Sequence, residues 1–304
     1  MKIGIVHLTD IHFSEKADLK QKCISLTKLI LNNFSLADVL FFVISGDIAA
    51  KGKELEYAFA KDFLDSLLSS ISEAFKSLTC RVIIVPGNHD CNFDYDTQIR
   101  KNCINNPTYK SLGDDNSVFD ACVVVQKDFW NFYHNYNDIP RNKIYYKIEC
   151  EHAGVSICFH CFNTSWMSQI EEKPGSLFFP VSKFAKDVGD KDYNISISIY
   201  HHPLNWFTPE TEINNRREFQ AHLNKLSSFQ IIGHEHEEYF EKLDLYNQYS
   251  SSLYFSGAVF NNTDNVNDSG FQLFEINPEA KTGILKCFKW VGAFSGEIRP
   301  VIPI

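Results

Sequence analysis

The order of apolar segments along the 304-residue chain predicts an α/β layered fold. Three short apolar runs, at 3–8, 39–45 and 81–86, alternate with two amphipathic stretches of helical length, from about 18 to 34 and from about 54 to 76. Each run is apolar on consecutive residues, which indicates central strands that are buried on both faces. The chain is long enough to bury a core of two or three layers.

The alternation of predicted strands and helices is interrupted once, at residues 92–143, and then continues. Residues 92–143 are rich in Asn, Asp and aromatic residues, and we interpret them as an insertion with helical pieces. We favour a surface excursion with its own small aromatic cluster. The alternative is a cap that overhangs the site and contacts the leaving group of the substrate, and in which aromatics such as Trp130 and Tyr133 could stack on a base. Further strands are predicted at 145–150, 155–161, 195–200 and 229–233, helices near 181–188 and 214–226, and a β-rich tail from 252 to 291. We expect one domain over residues 1–304, ending in an edge segment or in a connection to a further part.

Composition excludes several classes of protein. The formal net charge of -9 argues against sequence-independent binding of DNA or RNA, although a small anionic substrate stays compatible with it. No apolar run reaches the roughly 18 residues of a membrane span, and the first ten residues form a short strand instead of a signal peptide. We therefore expect a cytoplasmic protein without a membrane partner. The nine cysteines are scattered, which predicts free thiols. Cys158 and Cys161 have CxxC spacing, but they lie in a predicted strand, where residues three apart face opposite sides.

Polar residues of metal-binding type follow five of the predicted strands directly. They are Asp10 and His12, then Asp47, then Asn88, His89 and Asp90, then His201 and His202, and finally His234 and His236. Ligands of layered α/β sheets lie outside the carboxyl ends of the strands, so we expect these side chains to meet at one edge. One such set alone would more often be a cap or a turn, but five sets favour a common site.

The donor types indicate the kind of ion. Imidazole, carboxylate and amide oxygen suit Mn²⁺, Fe, Zn²⁺, Ni²⁺ or Co²⁺, and no thiolate is offered. The ligands are too many for one ion, and two ions about 3.5–4 Å apart that share a carboxylate form a clamp for displacement at phosphorus. Such a centre would carry net positive charge, which a phosphate ester anion neutralises. We expect two divalent ions per chain, with manganese favoured.

The ordered set D-x-H, G-D, G-N-H-D, H and G-H-x-H, between residues 10 and 236, resembles the calcineurin-like metallophosphoesterase superfamily. The resemblance implies an αββα sandwich with the metal site at the carboxyl ends of the strands. It also implies that Asp10, His12 and His236 hold one ion, that Asp47 bridges, and that Asn88, His201 and His234 complete the second. His202 competes with His201, which we prefer because it directly continues its strand. His89 would act on the substrate, with Asp90 orienting its ring.

The resemblance further implies a hydrolase of phosphate esters. The compact D-x-H start and the H-H-P motif are similar to bacterial cyclic-nucleotide phosphodiesterase-like members, which favours a nucleotide-type diester as the substrate. Hydroxide held between the ions would attack phosphorus, and His89 would protonate the leaving oxygen. Two alternatives stay open: a nuclease with the same site, which the acidic charge disfavours, and a non-catalytic protein-binding scaffold, which the filled ligand positions disfavour. Asn163, Thr164 and Trp206 either line the pocket or pack beside it, and no protein partner is indicated.

Overall fold

The computed structural model describes residues 1–15, 19–34, 37–105, 116–185, 192–209, 214–227, 229–245, 250–262 and 265–303. The strands are β1 (Ile3–Leu8), β2 (Val39–Ile44), β3 (Thr79–Ile84), β4 (Tyr145–His152), β5 (Val155–Phe162), β6 (Ile195–Ile199), β7 (Phe229–Ile232), β8 (Tyr239–Leu245), β9 (Ser250–Ser256), β10 (Gly270–Asn277), β11 (Thr282–Trp290) and β12 (Phe294–Pro303). The helices are α1 (Lys20–Asn33), α2 (Glu54–Ala74), α3 (Gln98–Asn105), α4 (Ser117–Cys122), α5 (Lys127–Tyr133), α6 (Val181–Phe184) and α7 (Asn215–Leu226). Predicted helix ends at residue 18 and at 186–188 lie outside these ranges.

The first sheet has the strand order β12-β11-β10-β1-β2-β3. β1, β2 and β3 are parallel, and Leu8, Ile44 and Ile84 lie level with one another in the register. All three strands are therefore followed by loops at the same edge of the sheet. β12 is the outer strand on the other side, so the last segment of the chain is an edge strand.

The second sheet has the strand order β4-β5-β6-β7-β9-β8. Its four central strands are parallel, while β4 and β8 run antiparallel at its two ends. Ile199 pairs with Ile231, so β6 and β7 also end level with each other. A second row of strand ends is thereby formed.

The two sheets pack face to face through aromatic side chains. The ring centroids of Phe41 and Phe159 are 4.8 Å apart, and those of Phe229 and Phe274 are 5.2 Å apart. α1 and α2 bury apolar residues in the core cluster of the first sheet, and α7 buries Phe219 against Phe162 of the second. The predicted αββα sandwich is confirmed.

The insertion contributes to this core. Trp130 and Tyr133 of α5 are only 2% and 1% exposed, and the ring of Trp130 lies 5.9 Å from that of Tyr146 on β4. Both belong to the main hydrophobic cluster and do not form a cluster of their own. The alternative in which these two rings stack on a base is wrong, because neither reaches the surface. Residues 106–115 of the insertion lie outside the described ranges.

All nine cysteines are free thiols. In the parts of the chain described above, no helix combines the length and the apolar character needed to cross a membrane.

Candidate metal centre

The seven predicted ligands meet where strand ends of the two sheets face each other. Asp10 and His12 follow β1, Asp47 follows β2, Asn88 follows β3, His201 follows β6, and His234 and His236 follow β7. The loops of β1 and β2 are tied together, since the N–H groups of Ile11 and His12 donate to the Asp47 carbonyl at 2.9 and 3.1 Å. The site is therefore built on rigid sheet ends.

The backbone is left-handed at five of these ligands. Positive φ angles of 52–77° occur at Asp10, His12, Asp47, His234 and His236. Among the described residues other than glycine, just two further residues have a positive φ, so the strained backbone is concentrated at the site. Such conformations cost of order 1–3 kcal/mol each and persist where the surrounding structure fixes them.

Two glycines allow the close approach of the loops. A Cβ atom on Gly87 would lie 2.1 Å from Asp47 Oδ1, and one on Gly233 would lie 2.0 Å from Thr9 Oγ1. Any side chain at either position would push the β2 or β1 loop away from its neighbour.

The first group of ligand atoms surrounds Asp10, whose side chain is fully buried. Its Oδ2 accepts hydrogen bonds from Thr9 Oγ1 at 2.7 Å and from the His234 N–H at 3.1 Å. Its Oδ1 makes no hydrogen bond, although His236 Nε2 and His12 Nε2 lie 3.3 and 4.0 Å away. A buried carboxylate oxygen left without a partner fits a cation at this point.

The second group converges on the amide oxygen of Asn88. This Oδ1 lies 3.1 Å from both His201 Nε2 and His234 Nδ1, and these two nitrogens are 3.2 Å apart. His201 Nδ1 donates a hydrogen bond to the Ser45 carbonyl at 2.8 Å. In the neutral ring, the lone pair therefore lies on Nε2, which is directed into the group. Three N/O donors directed at one point fit a divalent ion.

Asp47 lies between the two groups. A carboxylate oxygen of Asp47 lies within 4.8 Å of ligand atoms of Asp10 and His201, and a carboxylate oxygen likewise lies within 4.8 Å of ring nitrogens of His12 and His89. Asp47 Oδ2 is 3.2 Å from His201 Nε2. This placement is compatible with a carboxylate that bridges two ions.

The charges of the site depend on one another. Burial alone would raise the pKa of Asp10, but His236 and the charge of His201 lower it to about 2. Burial likewise opposes ionisation of Asp47, yet His201 holds its pKa well below the usual value. Burial lowers the pKa of His201, but the Asp47 carboxylate outweighs it and raises the pKa to about 9, so an ion bound here has to displace the Nε2 proton of His201. Two buried carboxylates thus stay ionised at neutral pH, which favours cation binding.

His202 differs from His201 in its hydrogen bonds. Its Nδ1 is 3.1 Å from Thr164 Oγ1, and its Nε2 is 3.3 Å from Glu172 Oε2. Distance alone would allow His202 a ligand role, because its ligand atom lies within 4.8 Å of those of His201 and His234. Both of its ring nitrogens are nevertheless engaged. Sequence reasoning missed Glu172, which lies in an irregular segment without any distinctive spacing.

His89 lies at the exposed side of the site. Its Nδ1 is 2.8 Å from the Ala50 carbonyl, which can only accept, so Nδ1 carries a proton and Nε2 is left for a substrate or an ion. Its ring centroid is 4.7 Å from that of His12. Its backbone N–H donates to Asp47 Oδ1 at 2.8 Å.

Asp90 does not orient the His89 ring, and that prediction is wrong. The chain turns back after Asn88, with the Asp90 N–H donating to the Gly87 carbonyl, so the Asp90 carboxylate lies beneath the loop. It accepts hydrogen bonds from four donors, the N–H groups of Ile48, Ala49 and Gly87 and the hydroxyl of Tyr57. Burial, together with the charge of Asp47, raises the pKa of this carboxyl to about 6. Asp90 holds the β2 and β3 loops together.

The remaining candidates have packing or supporting contacts. Thr164 Oγ1 accepts hydrogen bonds from the N–H groups of His201 and His202, and the Trp206 ring packs edge-on against His234 at 4.3 Å. Asn163 is buried and bonds to Gln126 and to the Lys143 carbonyl.

A family model of calcineurin-like phosphoesterases matches residues 3–238, and the chain belongs to this family. The resemblance drawn from the motifs is thereby confirmed, and membership supports a metal-dependent phosphoesterase that uses divalent ions. A search of curated protein sequences gave no significant match.

A search of solved structures found similar chains at low sequence identity. GAP50, described as the anchor in the inner membrane complex of Plasmodium, is 12% identical with a TM-score of 0.53, over 100% of this chain and 88% of that one. The calcineurin-like phosphoesterase YfkN of Bacillus subtilis is 14% identical with a TM-score of 0.46, over 98% and 90%. Vps29 of Entamoeba histolytica, solved with zinc, is 12% identical with a TM-score of 0.41, over 97% and 98%. At 12% identity, the likeness to GAP50 extends to the fold alone.

Proposed function

We propose that this protein is a two-metal phosphodiesterase that acts on a nucleotide-type substrate. One observation carries the proposal: two groups of N/O ligand atoms, from the two facing sheets, have Asp47 between them. Asp10, His12 and His236 would hold one ion, Asn88, His201 and His234 the other, and Asp47 would contact both. When bound, two divalent ions, of which we favour manganese, supply an activated water and neutralise the charge of the phosphoryl group.

The chain itself would then act on the leaving group through His89. The Ala50 carbonyl fixes the ring through Nδ1, so that Nε2 is the atom that passes a proton to the leaving oxygen. Asp47 holds the backbone of His89 through its N–H, which ties the proton donor to the ligand loop. A nucleotide-type diester is supported by the D-x-H and H-H-P motifs, and the net charge of -9 disfavours long nucleic acid strands.

The proposal is tested with protein that has been stripped of metal and reloaded with Mn²⁺. The substrates are bis(p-nitrophenyl) phosphate, p-nitrophenyl phosphate, cyclic nucleotides and single-stranded DNA. We expect two ions per chain by elemental analysis, and faster turnover of the small diesters than of the monoester or of DNA. Faster cleavage of DNA would replace the proposal with a nuclease, and full activity with a single ion would refute the two-metal centre.

A matched pair of variants separates the site from general effects of charge. Asp47→Asn removes one carboxylate from the site, whereas Asp62→Asn makes the same change at an exposed position of α2. We expect Asp47→Asn to abolish activity and to lower the metal content, and Asp62→Asn to change neither.

A further inference from the structure

A cleft of about 500 Å³ opens between α4 and the segment 140–147 that leads into β4. We call it the β4 cleft. None of the predicted metal ligands lines it. Its volume falls within the range of small-molecule sites, about 300–1,000 Å³.

Cationic side chains dominate the wall of the β4 cleft. Arg141, Lys143 and Lys147 line it, and Asp120 is the one acidic residue that does so. Lys147 Nζ is 3.7 Å from Glu149 Oε1, whereas Arg141 and Lys143 have no described carboxylate within 4 Å. The charge of Asp120 acts on Lys143, so it offsets part of this positive charge. On a chain with a net charge of -9, the local excess of positive charge that is left indicates a place for an anion.

The position of Lys143 is fixed by its packing. Its Nζ lies over the Trp130 ring, 5.5 Å from the centroid, and the residue is partly buried. Burial lowers the pKa of this ammonium group. A bound anion would offset that loss of solvation, and the fixed side chain would lose little conformational freedom on binding.

The other side of the β4 cleft is apolar and held in place. Phe119, Val123 and Ile144 line it and are almost fully buried. Asn142 Oδ1 accepts hydrogen bonds from the N–H groups of Ile144 and Tyr145, which fixes the loop that carries the two cations. The cleft thus joins a pair of cations to an apolar wall.

We propose that the β4 cleft binds a small phosphate-bearing molecule with a flat apolar part, such as a nucleoside monophosphate. The planar guanidinium of Arg141 can contact two phosphate oxygens at once, and Lys143 adds a second positive charge beside it. The apolar wall receives the base. Inorganic phosphate can make the same contacts with Arg141 and Lys143, but it has no apolar part to pack against the wall.

The test measures binding to the full chain after chelation of metal ions. The metal centre then cannot hold the phosphate, and the result does not depend on the proposed phosphodiesterase activity. AMP, inorganic phosphate and adenosine are titrated separately by calorimetry. We expect one AMP per chain and weaker binding of both phosphate and adenosine. Arg141→Ala and Lys143→Gln should each weaken AMP binding about tenfold, as loss of a charged hydrogen bond predicts.

Lys28→Ala serves as the control, because it removes one charge from an exposed position of α1. It should leave the affinity unchanged, and thermal melting shows whether each variant is folded. Inorganic phosphate could instead bind as tightly as AMP and lose the same affinity in the two cleft variants. That result supports the phosphate site and identifies inorganic phosphate as its occupant. The proposal is overturned if neither AMP nor phosphate saturates, if adenosine binds as well as AMP, or if Lys28→Ala weakens binding as much as the cleft variants.

Discussion

Two neighbouring residues at the end of β3 have separate roles. His89 presents Nε2 at the exposed side of the site, whereas the Asp90 carboxylate lies beneath the loop and binds three backbone N–H groups and a tyrosine hydroxyl. One of them can reach a substrate, and the other keeps two strand ends together. The role of His89 can be tested by substitution.

His89→Asn should keep both metal ions and lose about 10²–10⁴-fold in kcat, because general acid catalysis contributes that much. The loss should be smaller for p-nitrophenyl esters, whose good leaving group needs little protonation, and larger for ribose leaving groups. Kinetics on both ester types and elemental analysis check this. A ring nitrogen of His89 also lies within 4.8 Å of ligand atoms of His12 and Asp47. Loss of an ion from the variant would therefore show that His89 is a ligand and not a proton donor.

His201 and His202 can be separated by metal content. His201→Ala should lose one ion, since Nε2 faces Asp47 and Asn88. His202→Ala should keep both ions but bind metal about 10–100-fold more weakly, as is typical when a residue that supports the ligands is removed. Glu172→Gln, which keeps a hydrogen-bonding group beside His202, should show a smaller effect. Equal metal loss in the two alanine variants would contradict this assignment.

The sequence was sufficient to bring the predicted ligands together, but it did not reveal the contacts of the residues that support them. Asp10, Asp47 and Asn88 could be placed because a parallel strand has one carboxyl end, whatever follows in the loop. The contacts of Asp90 depend on how sharply the chain turns after Asn88. Those of Glu172 depend on the path of an irregular segment, which no periodicity describes.

At the level of elements, hydrophobic patterning worked where burial is complete. β1 and β2 were predicted to within one residue because every position in them is buried. β8 was missed, since its sequence YFEKLDL is half polar and belongs to an edge strand with one neighbour. α5 was predicted as part of a surface excursion because burial of its aromatic face depends on β4, which is distant in sequence.

Trp130→Ala should therefore destabilise the fold by about 3–5 kcal/mol, the usual cost of deleting a buried aromatic side chain. Relative rates on chromogenic esters and nucleotides should stay the same. Urea unfolding measures the first effect and steady-state kinetics the second, with the exposed neighbour Asn131→Ala as the control. A change in substrate preference at unchanged stability would restore the role of α5 in substrate binding.

At the level of the whole molecule, the proposed metal centre lies between the two sheets. The first sheet supplies Asp10, His12, Asp47 and Asn88, and the second supplies His201, His234 and His236. Each proposed ion would draw ligands from both. Metal binding should consequently stabilise the sandwich as a unit.

Chelation should lower the Tm by several degrees, since an ion at 100 times its Kd stabilises the folded state by about 2.7 kcal/mol. Melting curves at increasing Mn²⁺ concentration measure the effect. Asp47→Asn is the control, because its Tm should respond little to either chelator or metal. A wild-type Tm that does not change with chelator would speak against ions that link the sheets.

The left-handed backbone at five ligands also has an evolutionary consequence. Glycine would relieve this strain at each position, and a chain selected for stability alone would drift toward it. Such drift would leave the sandwich intact and erase the site. All five positions here keep an Asp or a His instead. These five side chains are therefore held at a cost in backbone energy, which is the arrangement expected where the side chains themselves are needed.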